Sequence, residues 1–180
     1  MNKYKNEGKV GTREADLFSK ALGMLLAHME QTNEEVLSYL YMDCNPNKNI
    51  GQFFTPHSVC QAMSSMVIPA QGNILDPACG AGVNLISLAK NMTNKQVDKS
   101  FFVGQDIDKT CVQMTALNMM FFNLPGVVLL GNTLQVEVLE VYRTIRSYVW
   151  GGSIVQDLNI KKWKHIMESP FIKHLRRRRW

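Results

Sequence analysis

Asn73-Ile74-Leu75-Asp76-Pro77-Ala78-Cys79-Gly80-Ala81-Gly82 is a short apolar run that ends in a carboxylate and two glycines. A helical pattern resumes at Val83, so the stretch reads as a strand-to-helix turn. Glycine removes the side chain where a backbone turns sharply and approaches a small nucleotide-like ligand. A Gly-x-Gly pair alone serves any tight turn equally well. Its meaning therefore depends on the sequence around it.

Downstream, Val83 to Met92 is helical, with Leu85, Ile86, Leu88 and Ala89 on the inward face. Phe101-Phe102-Val103-Gly104 reads as a buried strand ending at Gln105-Asp106-Ile107-Asp108. Lys109 to Asn123 reads as a long helix with Met114, Leu117, Met120 and Phe121 among its apolar residues. Val127-Val128-Leu129-Leu130 is a third strand, ending at Gly131-Asn132-Thr133-Leu134. Strands alternating with helices predict an α/β fold with a parallel sheet and right-handed crossovers. In such sheets ligands bind beyond the carboxyl ends of the strands, where all three polar turns lie. Beyond Leu134, Val136, Val138 and Val141 fit strand or helix, and Gly151-Gly152 reads as a loop. Trp163 to Met167 is a candidate fourth strand. Four parallel strands leave an unprotected edge. A partner chain, a second copy, or the segment from Lys161 to Trp180 is expected to cover it.

Upstream, Gly51-Gln52-Phe53-Phe54-Thr55-Pro56 opens a helix, with Thr55 as capping hydroxyl and Pro56 at the first helical position. Val59, Cys60, Met63, Met66 and Val67 form its apolar face, and Pro69 ends it. Before it, Phe18, Leu22, Leu25, Leu26 and Met29 repeat at helical spacing from near Thr12. Thr32 and Glu35 suggest a capping box for a second helix with Val36, Leu37, Leu40 and Tyr41. Asn45-Pro46-Asn47 breaks that pattern, so this front section reads as a helical hairpin that packs. The first dozen residues are expected to be irregular.

The chain has 180 residues, 46% of them apolar, enough for one packed domain. The expected organisation is an N-terminal helical section over 1–48, a cofactor-binding domain over 49–172 and a basic tail over 173–180. No apolar run is long enough to span a bilayer, and the polar start does not read as a secretory signal. Cys44, Cys60, Cys79 and Cys111 form no Cys-x-x-Cys pair, and the four histidines, His28, His57, His165 and His174, do not cluster with them into a ligand set. A disulfide framework or metal site is not expected, and a reduced, cytoplasmic setting is. The net charge of +5 is local: Lys173 and Arg176-Arg177-Arg178-Arg179 supply all of it. Such a tail attracts nucleic-acid phosphates or is simply a solvated terminus.

Asp106 ends the second strand, where an acidic residue accepts the hydroxyls of a ribose. Asp106 or Asp108 serves equally as a helix N-cap without any ligand. Asn132 ends the third strand, where its amide meets an adenine amino group or ring edge, or merely shapes the turn.

Gly51 to Pro56, Asp76 to Gly82, Gly104 to Asp108 and Gly131 to Leu134 occur in order and at suitable spacing. Together they resemble the adenine-specific, amino-group DNA methyltransferases, above all the modification subunits of type I restriction systems. The resemblance spans about Leu17 to Leu134. It implies a Rossmann-like, S-adenosylmethionine-dependent methyltransferase fold, truncated here and preceded by the helical section. It implies that Phe53, Thr55, Pro56, Asp76, Ala78, Gly80 and Gly82 bind the cofactor around its amino-acid end. Asp106 would hold the ribose. Asn132 stands where the family usually has an aspartate near the cofactor adenine.

The family's catalytic motif is Asn, Asp or Ser, then Pro-Pro, then an aromatic residue, and the sequence contains no copy of it. Its polar side chain accepts hydrogens from the target amino group, and its aromatic ring stacks on the flipped base. The nearest candidate is Glu168-Ser169-Pro170-Phe171, with Glu168 in the polar slot and Ser169 replacing the first proline. Glutamate accepts the same hydrogens from one methylene further out, and a ~1 Å displacement costs about 100-fold in rate. The readings are therefore a DNA adenine methyltransferase needing a protein partner or second copy, an inactive cofactor-binding module in a restriction-modification setting, or a truncated gene product. DNA would be held by Arg176, Arg177, Arg178 and Arg179.

Overall fold

The computed structural model describes residues 7–44, 54–67, 72–161 and 163. The chain divides into two compact units, Met1–Cys44 and Asn45–Trp180.

The first unit holds helices α1 (Glu14–Thr32) and α2 (Leu37–Cys44). Asp16 anchors the start of α1 by accepting from the Arg13 guanidinium at 2.8 Å and from the Gly11 N–H at 2.8 Å. Of the apolar stripe expected in α1, Met29 alone is buried. The Thr32–Glu35 capping box does not form. The Thr32 hydroxyl instead donates back to the His28 carbonyl inside α1. Glu35 caps α2 by itself, accepting from the Ser38 N–H and hydroxyl at 2.6 Å each.

The second unit is a sheet with helices: α3 (His57–Met66), β1 (Asn73–Asp76), α4 (Val83–Lys90), α5 (Asn94–Asp98), β2 (Phe101–Asp106), α6 (Lys109–Phe121), β3 (Gly126–Leu130), β4 (Glu140–Ile145) and β5 (Ser153–Gln156). The sheet order is β1-β2-β3-β4-β5. β1, β2 and β3 are parallel neighbours, as the sequence pattern predicts, with Asn73 opposite Phe101 and Phe102 opposite Gly126. Side chains alternate across these strands. Phe102, Val128 and Leu130 pack with Leu85 and Ile86 of α4 and with Val112, Ala116 and Met119 of α6. Val103, Val127, Leu129 and Val141 pack on the other face with Trp163. Each large side chain so buried contributes about 1.5–3 kcal/mol.

Beyond β3 the sheet departs from expectation. β4 and β5 run antiparallel, so the described sheet is mixed and five-stranded. Residues 131–139 are too few for the crossover of a dozen or more residues that a parallel return requires, so the chain folds straight back. Trp163 lies at a helical position and stacks on Phe101 with ring centroids 6.4 Å apart; it does not begin a parallel strand. Residues 164–180, including the rest of that candidate strand, lie outside the described residues. Two helix faces also differ. In α3, Cys60 and Ser64 are buried while Val59, Met63 and Met66 are exposed, because α3 meets the C-terminal end of α4 through the Asn91–Ser64 hydrogen bond at 3.0 Å. In α6, Leu117 is exposed, and the polar Thr115 and Asn118 are buried. No helix among the described residues is long and apolar enough to cross a membrane.

Candidate functional site at the strand rim

The carboxyl ends of β1, β2 and β3 form one rim, and hydrogen bonds knit their three turns together. The Cys79 N–H donates to the Gln105 carbonyl at 2.9 Å, and the Gly131 N–H to the Asp106 carbonyl at 2.9 Å. The Thr133 hydroxyl donates to the Pro77 carbonyl at 2.6 Å, tying the third turn to the first. Asp106 joins the first two: one carboxylate oxygen accepts from the Gly80 N–H at 2.9 Å, the other from the Asp108 N–H at 2.9 Å.

The glycines of the first turn answer to conformation and internal packing. Gly80 and Gly82 have φ of +54° and +82°, in the left-handed region that other residues enter at a cost. A Cβ on Gly80 would meet the Phe54 ring at 2.9 Å, and one on Gly82 would meet the Thr115 methyl at 2.9 Å. The space that glycine opens is thus filled by protein side chains. Polar side chains then brace the turn from within. The Thr115 hydroxyl donates to the Gly80 carbonyl at 2.7 Å, and the Asn118 amide to the Ala81 carbonyl at 2.9 Å. Gln105 braces the third turn, donating to the Gly131 and Glu137 carbonyls at 3.1 and 2.9 Å. Phe54, Gln105, Thr115 and Asn118 escaped the reading of the sequence. For Thr115 and Asn118 the available signal was two polar residues three apart on a helix face otherwise buried.

Asp76 accepts from the Ala78 N–H at 3.2 Å and from the Asn84 amide at 3.3 Å. Asn132 caps a 3-10 turn over Thr133–Gln135. Asp108 is the N-cap of α6, its Oδ1 accepting from the Thr110 and Cys111 N–H groups at 2.7 and 3.0 Å. Helix α3 begins one residue later than expected. Pro56 occupies the cap position, its carbonyl accepts from the Val59 and Cys60 N–H groups, and the Thr55 hydroxyl makes no cap bond. Phe53, Glu168, Ser169, Pro170, Phe171 and Arg176 to Arg179 lie outside the described residues.

Burial pushes the Cys79 thiol well above its ordinary range, against the smaller opposing effect of the Thr115 hydroxyl. Cys111 is pushed up to about 12 by burial first, then by the Asp106 and Asp108 carboxylates. Both sulfurs are therefore neutral packing groups beside the rim, without nucleophilic character. The polar side chains at the ends of the three strands are the Asp76 and Asp106 carboxylates and the Asn132 amide, spread over adjacent strands ~4.8 Å apart. That donor and acceptor set suits a ligand with a cationic end, a vicinal diol and a heteroaromatic edge along about 10 Å. S-adenosylmethionine has those three parts, and the residues present fit it.

The family model described as N-6 DNA Methylase matches residues 31–149. Three curated relatives, each the methylase subunit of a type I restriction enzyme, are similar over shorter stretches. The MpnII subunit of Mycoplasma pneumoniae is 26% identical over 83 residues, 44% of this chain and 15% of the relative. The HindI subunit of Haemophilus influenzae is 31% identical over 74 residues, 40% of this chain and 17% of the relative. The MjaIX subunit of Methanocaldococcus jannaschii is 28% identical over 78 residues, 42% of this chain and 14% of the relative. The matched stretch thus spans less than a fifth of the length of each relative.

Proposed function

As this chain belongs to the N-6 DNA methylase family, we propose that it binds S-adenosylmethionine at the strand rim and serves methyl transfer to the adenine amino group of DNA. The observation that carries this reading is the Asp106 carboxylate. It sits between the glycine turn and the β2 end with one N–H bond on each oxygen, leaving a lone pair on each for a ribose hydroxyl. Bound S-adenosylmethionine supplies a methyl group on a sulfonium. Asp76, Ala78, Gly80 and Gly82 border its amino-acid end, joined by Phe53, Thr55 and Pro56 from the segment leading into α3. Asn132 meets the base. Glu168 accepts hydrogens from the target amino group, Ser169 and Pro170 set its position, and the Phe171 ring stacks on the flipped base. Arg176 to Arg179 hold phosphates. A protein partner or a second copy completes the assembly, in keeping with relatives that are subunits.

A second reading is an inactive cofactor-binding relative that acts as a regulatory module in a restriction-modification setting. The missing Pro-Pro pair favours it. Labelled methyl transfer to adenine-containing DNA separates the two. The first reading predicts incorporation that Glu168→Ala abolishes. Cofactor binding with no incorporation, alone or with a methylation complex, supports the second and overturns the first.

A further inference from the structure

Thr115 lies at the middle of α6, fully buried, and both branches of its side chain meet glycine. Its methyl stands 2.9 Å from where a Cβ on Gly82 would lie, and 3.2 Å from where one on Gly104 of β2 would lie. A threonine hydroxyl in a helix commonly bonds a carbonyl of the preceding turn. This one donates instead to the Gly80 carbonyl at 2.7 Å, with the Cys79 sulfur 3.5 Å away. On its other side Gly80 donates its N–H to the Asp106 carboxylate at 2.9 Å. Gly80 holds a φ of +54°. Glycine has no side chain to confine it there, so the contacts around it must. The Thr115 hydroxyl and the Asp106 carboxylate thus grip one residue through its two peptide groups. Helix α6 reaches the same carboxylate from its cap, where the Asp108 N–H donates to the second oxygen at 2.9 Å.

We propose that Thr115 is a positioning residue for the ribose of the bound nucleoside: through Gly80 it fixes the Asp106 carboxylate, whose remaining lone pairs take the diol. The inference rests on the nucleoside-binding reading above and deepens it. Thr115 is sealed from solvent and touches no ligand. Without its hydroxyl the Gly80 carbonyl loses this bond, and the glycine is free to turn its N–H away from Asp106. The carboxylate is then anchored on one oxygen only, and ordering it falls to the ligand, at a cost in affinity. That cost falls on the ribose hydroxyls and spares the rest of the ligand. Valine keeps the shape that packs on Gly82 and Gly104 and removes the hydroxyl. Serine keeps the hydroxyl and removes the methyl. The two substitutions therefore separate the hydrogen bond from the packing.

The test is calorimetric titration of the intact chain with S-adenosylhomocysteine and with its 2′-deoxyribose analogue, for wild type, Thr115→Val and Thr115→Ser. Wild type is expected to favour the ribose compound by about tenfold or more, as for one hydrogen bond to a charged group. Thr115→Val is expected to shrink that preference to about threefold or less, and Thr115→Ser to keep it at about tenfold. A residue that only fills space would lower both affinities together and leave the preference unchanged. An unchanged preference in Thr115→Val, or a loss in Thr115→Ser as large as in Thr115→Val, overturns the inference while leaving nucleoside binding intact. Amide exchange of the ligand-free wild type needs no variant to fold. The Gly80 N–H is expected to exchange as slowly as those of β2, and exchange at the rate of an unstructured amide overturns the inference. Binding of neither compound by wild type, or equal binding of both, overturns the ribose reading, and this inference with it.

Discussion

Each oxygen of the Asp106 carboxylate accepts one backbone N–H, from Gly80 and from Asp108, so the side chain is fixed before any ligand arrives. Preorganisation of this kind lowers the entropy that binding must offset. The strand-end positions of Asp106 and Asn132 were legible in the sequence because each closes an apolar run with a glycine just before it. Phe54 and Thr115 were not, because what they touch is the missing side chain of a glycine far away in sequence. The thiols beside the rim make a prediction of their own. Cys111 keeps its proton to about 12, whereas an unfolded thiol ionises near 9.0. A raised folded value contributes stability that is fully present below the unfolded value and is lost as pH rises. The urea midpoint should therefore fall from about pH 9 upward, and fall less in Cys111→Ala. A midpoint that rises with pH, or an identical slope in the variant, would contradict this.

At the scale of elements, α6 does two jobs. Its apolar residues Val112, Ala116 and Met119 join the core, while Thr115 and Asn118 hold the carbonyls of the turn between β1 and α4. Periodicity located the helix but not this division, since a polar residue on a buried face reads as an interruption until its partner is known. β1, β2 and β3 were legible as apolar runs bounded by turns. β4 was not, because Val136, Val138 and Val141 fit either period, and its direction is set by the length of the connection. Its hairpin with β5 is fastened by Arg146. The guanidinium lies 3.0 Å from the Asp98 carboxylate and donates to Asn94 at 2.7 Å and to the Asn123 carbonyl at 3.0 Å. It also stacks over the Tyr148 ring, whose hydroxyl donates to Asp98. Arg146→Ala should cost about 2–3 kcal/mol, the magnitude of losing hydrogen bonds to a charged group. Amide exchange should accelerate in β4 and β5 but not in β1 and β2. Equal acceleration throughout the sheet would show that Arg146 supports the whole fold and not this hairpin.

For the molecule as a whole, the family match from residue 31 to residue 149 begins within the first compact unit and covers the three-strand rim in the second. The order of motifs predicted a resemblance over about Leu17 to Leu134, which overlaps this span without sharing its bounds; a parallel sheet places the polar ends of successive strands side by side. The charge reading stands apart: the described residues hold the rim, while Arg176 to Arg179 lie beyond them. Whether the edge of β2 clasps a nucleoside is decided by calorimetric titration of the intact chain with S-adenosylmethionine, beside the same titration of Asp106→Ala. The account predicts saturable binding that the substitution weakens by about tenfold or more, from ~1.5–3 kcal/mol of lost hydrogen bonding to a charged group. Absence of binding in wild type, or equal affinity in the two proteins, would contradict it.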